Sequence, residues 1–322
     1  MNTVLYYEIL SFQPQNLLTL KQHFEVLTLP DPSFDTREIL AQAEVVFAPL
    51  GYYFGPEKIG QCPKLKVIAS NTTGVPHIDV NYAARQGIKV ISLQDQTEFL
   101  NNITPTAELT LGLLIAVTRR IPWAFASVCG GTWNRRLFGG RTMLSRLSLG
   151  VVGLGRLGKM VARYGSALGM KVSYSDLIPK TEARADWIYY PAIEDLVAES
   201  DVVTLHLPLN QGTQGLIGRQ IFTKFKEGSC LINTSRGEIV ESQALLEGLQ
   251  IGRPAFAALD VLDGEFDPAF QARVKEHPLV KYASNHDNLL LTPHIGGSTT
   301  DAWAETEAFT IQLALEYLEG LE

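Results

Sequence analysis

The stretch Leu147-Ser-Leu-Gly-Val-Val-Gly153-Leu-Gly155-Arg-Leu-Gly158-Lys-Met160 joins an apolar run, a glycine-rich turn and the opening of a helix. Each glycine has a physical task in such a turn. Gly153 permits the tight bend, Gly155 lets the backbone approach a pyrophosphate, and Gly158 lets helix and strand pack closely. The helix N-terminus then offers free N–H groups and a partial positive charge to the anion. The spacing alone is a weak signal. Its setting, between the apolar run Leu147–Val152 and the helical pattern Lys159–Leu168, makes it a specific one. The next strand, Lys171–Ser175, ends at Asp176, 18 residues past Gly158. An acidic residue there can accept hydrogen bonds from a ribose diol and would repel a 2′-phosphate. No arginine follows at once, and Lys180 stands four positions on. The residues therefore read as a dinucleotide site that takes NAD in preference to NADP. The same unit binds S-adenosylmethionine in methyltransferases and nucleotides in non-enzymes, so it specifies a ligand class without a reaction.

Working outward, apolar runs of strand length alternate with helical stretches. Early strands are expected at Val4–Leu10, Phe24–Leu27, Val45–Ala48, Lys66–Ser70 and Lys89–Ser92. Asp79 can cap a short helix, Val80–Gln86, which Gly87 ends. A second series follows at Leu147–Gly153, Lys171–Ser175, Val202–Leu207, Cys230–Asn233, Phe256–Asp260 and Leu289–Thr292. Helices such as Leu157–Leu168 and Ser242–Gln250 lie between. This alternation predicts an α/β protein of open parallel sheets wound on both faces. A long helix from about Thr106 to Arg120 starts after Thr104-Pro105 and stops before Ile121-Pro122. It is apolar nearly all round and should be buried. The stretch from Cys129 to Gly140 has no period and reads as an arm or loop. Thr299 to Leu321 reads as one amphipathic helix. The sequence stops within it, so no regulatory domain is expected beyond.

The 322 residues suggest about two domains. With 46% hydrophobic and 19% charged residues, the chain can bury a large core and is not disordered. The net charge of -7 argues against a surface that neutralises many phosphates, so nucleic acid is not an expected partner. The three cysteines, Cys62, Cys129 and Cys230, are widely spaced, which suggests neither a disulfide framework nor a metal site. The N-terminus reads as a strand, not a signal peptide, because Glu8 interrupts it and no basic flank precedes it. The longest uncharged run, Leu109–Thr118, is too short to span a bilayer. A cytoplasmic protein without a membrane partner is the expectation.

Three ionisable residues each follow an expected strand. Arg236 comes after Leu231-Ile-Asn-Thr-Ser, Glu265 five residues after Asp260, and His294 after Leu289-Leu-Leu-Leu-Thr-Pro. In doubly wound sheets the carboxyl ends of the strands line the ligand crevice. Taken singly, each also suits an ordinary role: a surface charge, a solvated loop carboxylate, a satisfied core histidine. Together they place a cation, a carboxylate and an imidazole at one sheet edge.

Several motifs in order carry a family resemblance. They are Thr73-Gly-Val-Pro-His-Ile-Asp79, Thr106-Ala-Glu108, Gly153–Gly158, His206-Leu-Pro208, Asn233-Thr-Ser-Arg-Gly237, Leu259-Asp-Val261 and Thr292-Pro-His-Ile-Gly296. From about Pro63 to the last helix the chain resembles the D-isomer-specific 2-hydroxyacid dehydrogenases, which include glycerate, D-lactate and 3-phosphoglycerate dehydrogenases. The resemblance implies a Rossmann NAD-binding domain, residues 104–297, and a smaller flavodoxin-like substrate domain, residues 1–103 plus 298–322. It implies that Arg236, Glu265 and His294 are catalytic. Asp176 would hold the adenosine ribose, Gly153, Gly155, Arg156, Leu157 and Gly158 the pyrophosphate, and Asp260 would face the nicotinamide amide. His206, Leu207, Pro208, Thr213 and Thr234 would line the rest of the NAD groove. The backbone near Thr73 and Gly74, with Arg236, would bind the substrate carboxylate. A homodimer formed through the cofactor domain is implied too; Trp133-Asn-Arg-Arg136 reads equally as part of a crossing arm or as an ordinary exposed loop.

The implied reaction is reversible hydride transfer between nicotinamide and C2 of a 2-keto or 2-hydroxy acid. His294 would move the proton, Glu265 would orient its ring, and Arg236 would bind the carboxylate. There are departures. Phe266 stands where the family usually has proline, and the stretch 266–287 looks long. Ser70 replaces an arginine found in many phosphoglycerate dehydrogenases, which weakens a phosphorylated substrate. Alternatives on the same scaffold remain: a phosphite or formate dehydrogenase, or an NAD(H)-sensing binding protein like the carboxyl-terminal-binding-protein corepressors.

Overall fold

Val4 to Tyr7, Val45 to Phe47 and Val67 to Ala69 are buried along their whole length. Runs with no wet face pair as inner strands of a sheet covered on both sides. The computed structural model describes residues 1–321 and shows two such sheets. The chain divides into two compact units.

The first unit comprises Met1–Ile103, Phe266–Pro268 and the chain from Ser298 onward. Its strands are β1 (Thr3–Tyr7), β2 (Glu25–Leu29), β3 (Val45–Phe47), β4 (Val67–Ala69) and β5 (Lys89–Ile91). They run parallel in the order β2-β1-β3-β4-β5. Alternate residues feed two cores, as a period of two requires. Leu5, Tyr7, Val46 and Ile68 meet Leu40 and Ile59 on one face. Val4, Tyr6, Val45, Phe47 and Val67 meet Leu20 and the helix Thr300–Glu319, through Ile311, Ala314 and Leu318, on the other.

The second unit, Thr104–Glu265 with Ala269–Gly297, holds seven strands. They are β6 (Ser148–Val152), β7 (Lys171–Ser175), β8 (Ile188–Tyr189), β9 (Val202–Leu205), β10 (Cys230–Asn233), β11 (Phe256–Leu259) and β12 (Leu289–Leu291). All pairings are parallel, in the order β12-β11-β10-β9-β6-β7-β8. The carboxyl ends of all seven strands therefore point the same way. The apolar helix Pro105–Thr118 buries Ala107, Thr110, Leu113, Leu114 and Val117. It lies on the helix Arg156–Ala167 and on β10 and β11.

The structure differs from the sequence reading in four places. The first strand stops at Tyr7, because a 3-10 turn, Glu8–Leu10, and a left-handed Ser11 (φ +48°) redirect the chain. The two-residue strand β8 is too short to leave a periodic signal. The stretch expected to be an arm follows a helix, Ile121–Cys129, and contains a short one, Arg135–Phe138. Phe266–Pro268 groups with the first unit, whereas the reading of the sequence keeps it in the second. Nothing in its composition separates those three residues from the stretch that follows. Among the described residues no single helix is long and apolar enough to cross a membrane.

The glycine turn shows how tightly β6 and its helix meet. A Cβ on Gly158 would stand 2.0 Å from the Gly153 carbonyl oxygen, a backbone atom that cannot swing away. A Cβ on Gly155 would meet nothing within 4 Å. Gly158→Ala is therefore expected to lose about 1–3 kcal/mol of unfolding free energy in urea, the usual cost of overpacking. Gly155→Ala should stay within about 0.5 kcal/mol of the parent. Equal stabilities for the two variants would contradict this packing.

Candidate active site

The turn after β6 is built from backbone. Gly153 has φ +89°, and a Cβ there would press against the His206 carbonyl (2.5 Å) and the Leu207 side chain (2.9 Å). Its N–H donates to the Ser175 carbonyl (2.8 Å), tying the turn to β7. Gly155 caps the helix Arg156–Ala167, and no side chain closes the first turn. Open space at Gly155 and an uncapped helix N-terminus are what a pyrophosphate needs. The Arg156 guanidinium is partly desolvated, and burial pushes its pKa down. Leu157 packs onto the core beneath the turn.

Asp176 follows β7 directly. Its Oδ2 accepts the Leu154 N–H (2.8 Å), and its Oδ1 accepts its neighbour Leu177 N–H (2.8 Å). Lys180 Nζ sits 3.0 Å from the same Oδ1. An acidic acceptor beside the glycine turn fits the ribose half of a dinucleotide. Sequence reasoning noted the lysine but missed its pairing with the carboxylate. The i,i+4 spacing was visible, but outside a helix such spacing does not bring side chains together.

Past β9, the His206 carbonyl and the Leu207 side chain lie against Gly153, and Pro208 follows them in the turn. The His206 ring turns inward, with Nε2 2.9 Å from Thr204 Oγ1. Burial pushes its imidazole down to about 3, so it stays neutral. The Thr213 hydroxyl donates to the Pro208 carbonyl (2.6 Å) and closes that loop. The Thr234 hydroxyl lies 2.7 Å from that of Thr110, on the buried helix.

Arg236, Glu265 and His294 follow β10, β11 and β12, three neighbouring strands. Asn233 shapes the first loop. Its Oδ1 accepts the Ser235 N–H (3.0 Å) and hydroxyl (2.7 Å), and its Nδ2 donates to the Arg236 carbonyl (2.8 Å). Among the described residues the Arg236 guanidinium donates only to the Ser235 carbonyl (2.6 Å). His294 Nδ1 lies 2.8 Å from Glu265 Oε1. An ionised carboxylate only accepts, so Nδ1 carries the proton of this bond.

His294 holds an uncommon backbone, φ +53°. Asp260, only 1% exposed, is what holds it there. The His294 N–H donates to the Asp260 carbonyl (2.8 Å). The Asp260 carboxylate accepts the Thr292 hydroxyl (2.6 Å), the Ile295 N–H (2.9 Å) and the Gly296 N–H (2.8 Å). Glu265 is held through Asp263, which accepts from the Ser242 hydroxyl (2.6 Å) and pairs with His277 Nε2 (2.9 Å). His277 beside it, against a smaller opposing effect of burial, holds the Asp263 carboxyl below the usual range. His277 lies in the long stretch 266–287, and nothing in its spacing pointed to Asp263.

Thr73 and Gly74 belong to the first unit. The loop is closed by Thr72, whose hydroxyl donates to the Gly74 carbonyl (2.7 Å) and meets Ser70 Oγ (2.8 Å). Among the described residues, neither the Thr73 N–H nor the Gly74 N–H has a protein acceptor.

The family model described as D-isomer specific 2-hydroxyacid dehydrogenase, NAD binding domain, matches residues 111–296. The chain is similar to the D-3-phosphoglycerate dehydrogenase of Methanocaldococcus jannaschii, 35% identical over 285 residues, covering 88% of this chain and 51% of that protein. It is similar to the hydroxypyruvate reductase of Thermotoga maritima, 31% identical over 287 residues, covering 89% of this chain and 88% of that one. Among solved structures it is similar to the D-lactate dehydrogenase from Aquifex aeolicus complexed with NAD and lactic acid, with a TM-score of 0.84 and 25% identity, covering 99% and 96% of the two chains. The chain spans about half the length of the curated phosphoglycerate dehydrogenases that it matches.

Asp260→Ala would strip the acceptor from one hydroxyl and two amides in a dry spot. Each orphaned group costs roughly 1–3 kcal/mol. The expected loss is about 3 kcal/mol or more in urea unfolding, with faster hydrogen exchange at Ile295 and Gly296. A loss below about 1 kcal/mol would mean that the loop holds itself without the carboxylate.

Proposed function

The chain belongs to the D-isomer-specific 2-hydroxyacid dehydrogenase family, and we propose that it interconverts a small, unphosphorylated 2-keto acid and its D-2-hydroxy acid. The observation that carries this reading is the Glu265–His294 pair on the strained loop, with the Arg236 guanidinium one strand beyond β11. The cofactor is NAD, which supplies a nicotinamide ring that accepts or returns a hydride. The backbone at Gly153, Gly155, Arg156, Leu157 and Gly158 takes its pyrophosphate, and Asp176 takes the adenosine ribose. The 206–208 turn, Thr213 and Thr234 line the rest of the groove, and Asp260 stands toward the carboxamide while it holds the histidine loop.

Arg236 binds the substrate carboxylate and polarises the C2 oxygen, because a planar guanidinium matches a carboxylate in a two-point fork. During reduction His294 gives its Nε2 proton to the C2 oxygen; during oxidation it takes the proton back. Glu265 keeps Nδ1 protonated and stops the ring from rotating. A formate-type enzyme needs no such proton carrier, so the pair favours hydroxy acid chemistry. Ser70 is buried and bound to Thr72, which leaves no cation at that position for a phosphate.

The second unit also exposes apolar side chains at Ile121, Phe125, Val128, Trp133, Leu137 and Met143; Phe125 is 69% and Trp133 89% exposed. A contiguous sequence stretch with so much wet apolar surface suits an interface between copies of the chain. The assembly proposed is a homodimer.

The test of the activity is turnover of glyoxylate, hydroxypyruvate and pyruvate with NADH. His294→Ala should lose about 10²–10⁴ in turnover, the usual worth of a positioned acid–base group, with NADH affinity nearly unchanged. Tight NADH binding without turnover of any 2-keto acid would replace the enzyme with a cofactor sensor. Sedimentation of the parent should give the mass of a dimer, and Phe125→Asp should shift it toward monomer. A parent that sediments as a monomer would remove the proposed assembly.

A further inference from the structure

The loop from Asp176 to Lys180 is pinned at both ends. The Asp176 carbonyl accepts the Tyr189 hydroxyl (3.3 Å), and the Lys180 N–H donates to the Tyr174 hydroxyl (3.1 Å). The two tyrosine rings pack together, centroids 5.3 Å apart. Pro179 fixes φ just before the lysine. The pinned backbone returns the Lys180 side chain onto the Asp176 carboxylate at 3.0 Å. Both side chains are largely covered, 26% and 14% exposed, so solvent screens the pair less than it would a surface one.

The hydrogen-bond count around Asp176 then matters. A carboxylate offers about four lone-pair sites. Leu154 and Leu177 N–H groups take two, and the lysine ammonium takes a third. A ribose diol that donates both hydroxyls needs two. Lys180 therefore competes with the diol for the carboxylate. A 2′-phosphate meets the opposite balance: the aspartate charge that would repel it is locally neutralised, and the ammonium keeps further donors to offer. The other lysine near this rim, Lys159, is bound to Glu182 (3.0 Å).

We propose that Lys180, through its ion pair with Asp176, weakens the discrimination of this site against a 2′-phosphorylated dinucleotide. The inference rests on Asp176 as the ribose acceptor, as set out under the proposed function. It makes Lys180 a specificity residue of the adenosine end, with opposite effects on the two cofactors.

The test is equilibrium binding of NADH and NADPH without substrate, read by nicotinamide fluorescence, in the parent, Lys180→Met and Asp176→Asn. Lys180→Met keeps the apolar stem and removes the charge. It should weaken NADPH about 5-fold while NADH binding stays equal or tightens up to about 3-fold, the scale expected of one partly covered charge. In the parent, NADPH affinity should fall more steeply with added salt than NADH affinity, and Lys180→Met should remove that difference. Equal effects on both cofactors, or none, would overturn the assignment of Lys180. Asp176→Asn separates the premise from the inference. If it alters the NADH-to-NADPH ratio while Lys180→Met does not, only the lysine assignment fails. If Asp176→Asn leaves the ratio untouched, the ribose reading itself fails, and the inference with it.

Discussion

A buried carboxylate that holds a histidine in a left-handed backbone is the constraint on which the site depends. Such a conformation costs a non-glycine residue roughly 1–2 kcal/mol. The Asp260 carboxylate more than offsets this, since hydrogen bonds to a charged group are each worth about 1.5–3 kcal/mol. The Asp260 N–H in turn donates to the Asn233 carbonyl (2.9 Å), and Asn233 shapes the loop that presents Arg236. Two buried polar residues on adjacent strand ends thus hold the loops of the histidine and the arginine.

The cofactor half works on a different principle. Around Gly153, Gly155 and Gly158 the proposed anion site leaves little for a side chain to do, because backbone amides and a helix terminus suit an anion. What the sequence must supply there is the absence of Cβ atoms, and the 2.0 Å approach at Gly158 shows how little room is left. Side chains return at Asp176, the proposed ribose acceptor, where a lysine ammonium already meets the carboxylate. On the proposed reading the sheet orders these tasks: ribose at β7, pyrophosphate at β6, and the reacting groups at β10, β11 and β12, which neighbour one another in the strand order.

Most of this was legible because it follows from periodicity and from residues whose types have few alternative uses. Alternating buried runs located eleven of the twelve strands, and the glycine spacing located the turn. The His294–Glu265 pairing came from the ordered motifs and is now visible as a 2.8 Å contact. The contacts of Lys180, His277 and Ser242 were missed for one reason. Each acts through a contact made by a loop, and loops carry no period that would say which way a side chain returns. Thr213 and Thr234 were named for the cofactor groove. Their hydroxyls also bond within the protein, a use that a family motif does not separate from ligand contact.

The loop of Glu265 shows how this chain does without a residue that its family usually keeps. A proline after the glutamate would limit the backbone by fixing φ. Here Phe266 leaves that dihedral free, and hydrogen bonds supply the restraint. Ser242 and His277 grip Asp263, while the Gly264 N–H donates to Glu238 Oε1 (3.3 Å). Gly264, at φ +75°, makes the bend that lets both anchors reach. The restraint depends on an ionised Asp263. Because its folded-state pKa is depressed, its contribution to stability is full above the ordinary carboxyl range and is lost as pH falls through the folded value. The anchor is therefore intact throughout the range in which an imidazole exchanges protons. The restraint that a proline ring would build into the chain is here supplied by hydrogen bonds to a carboxylate.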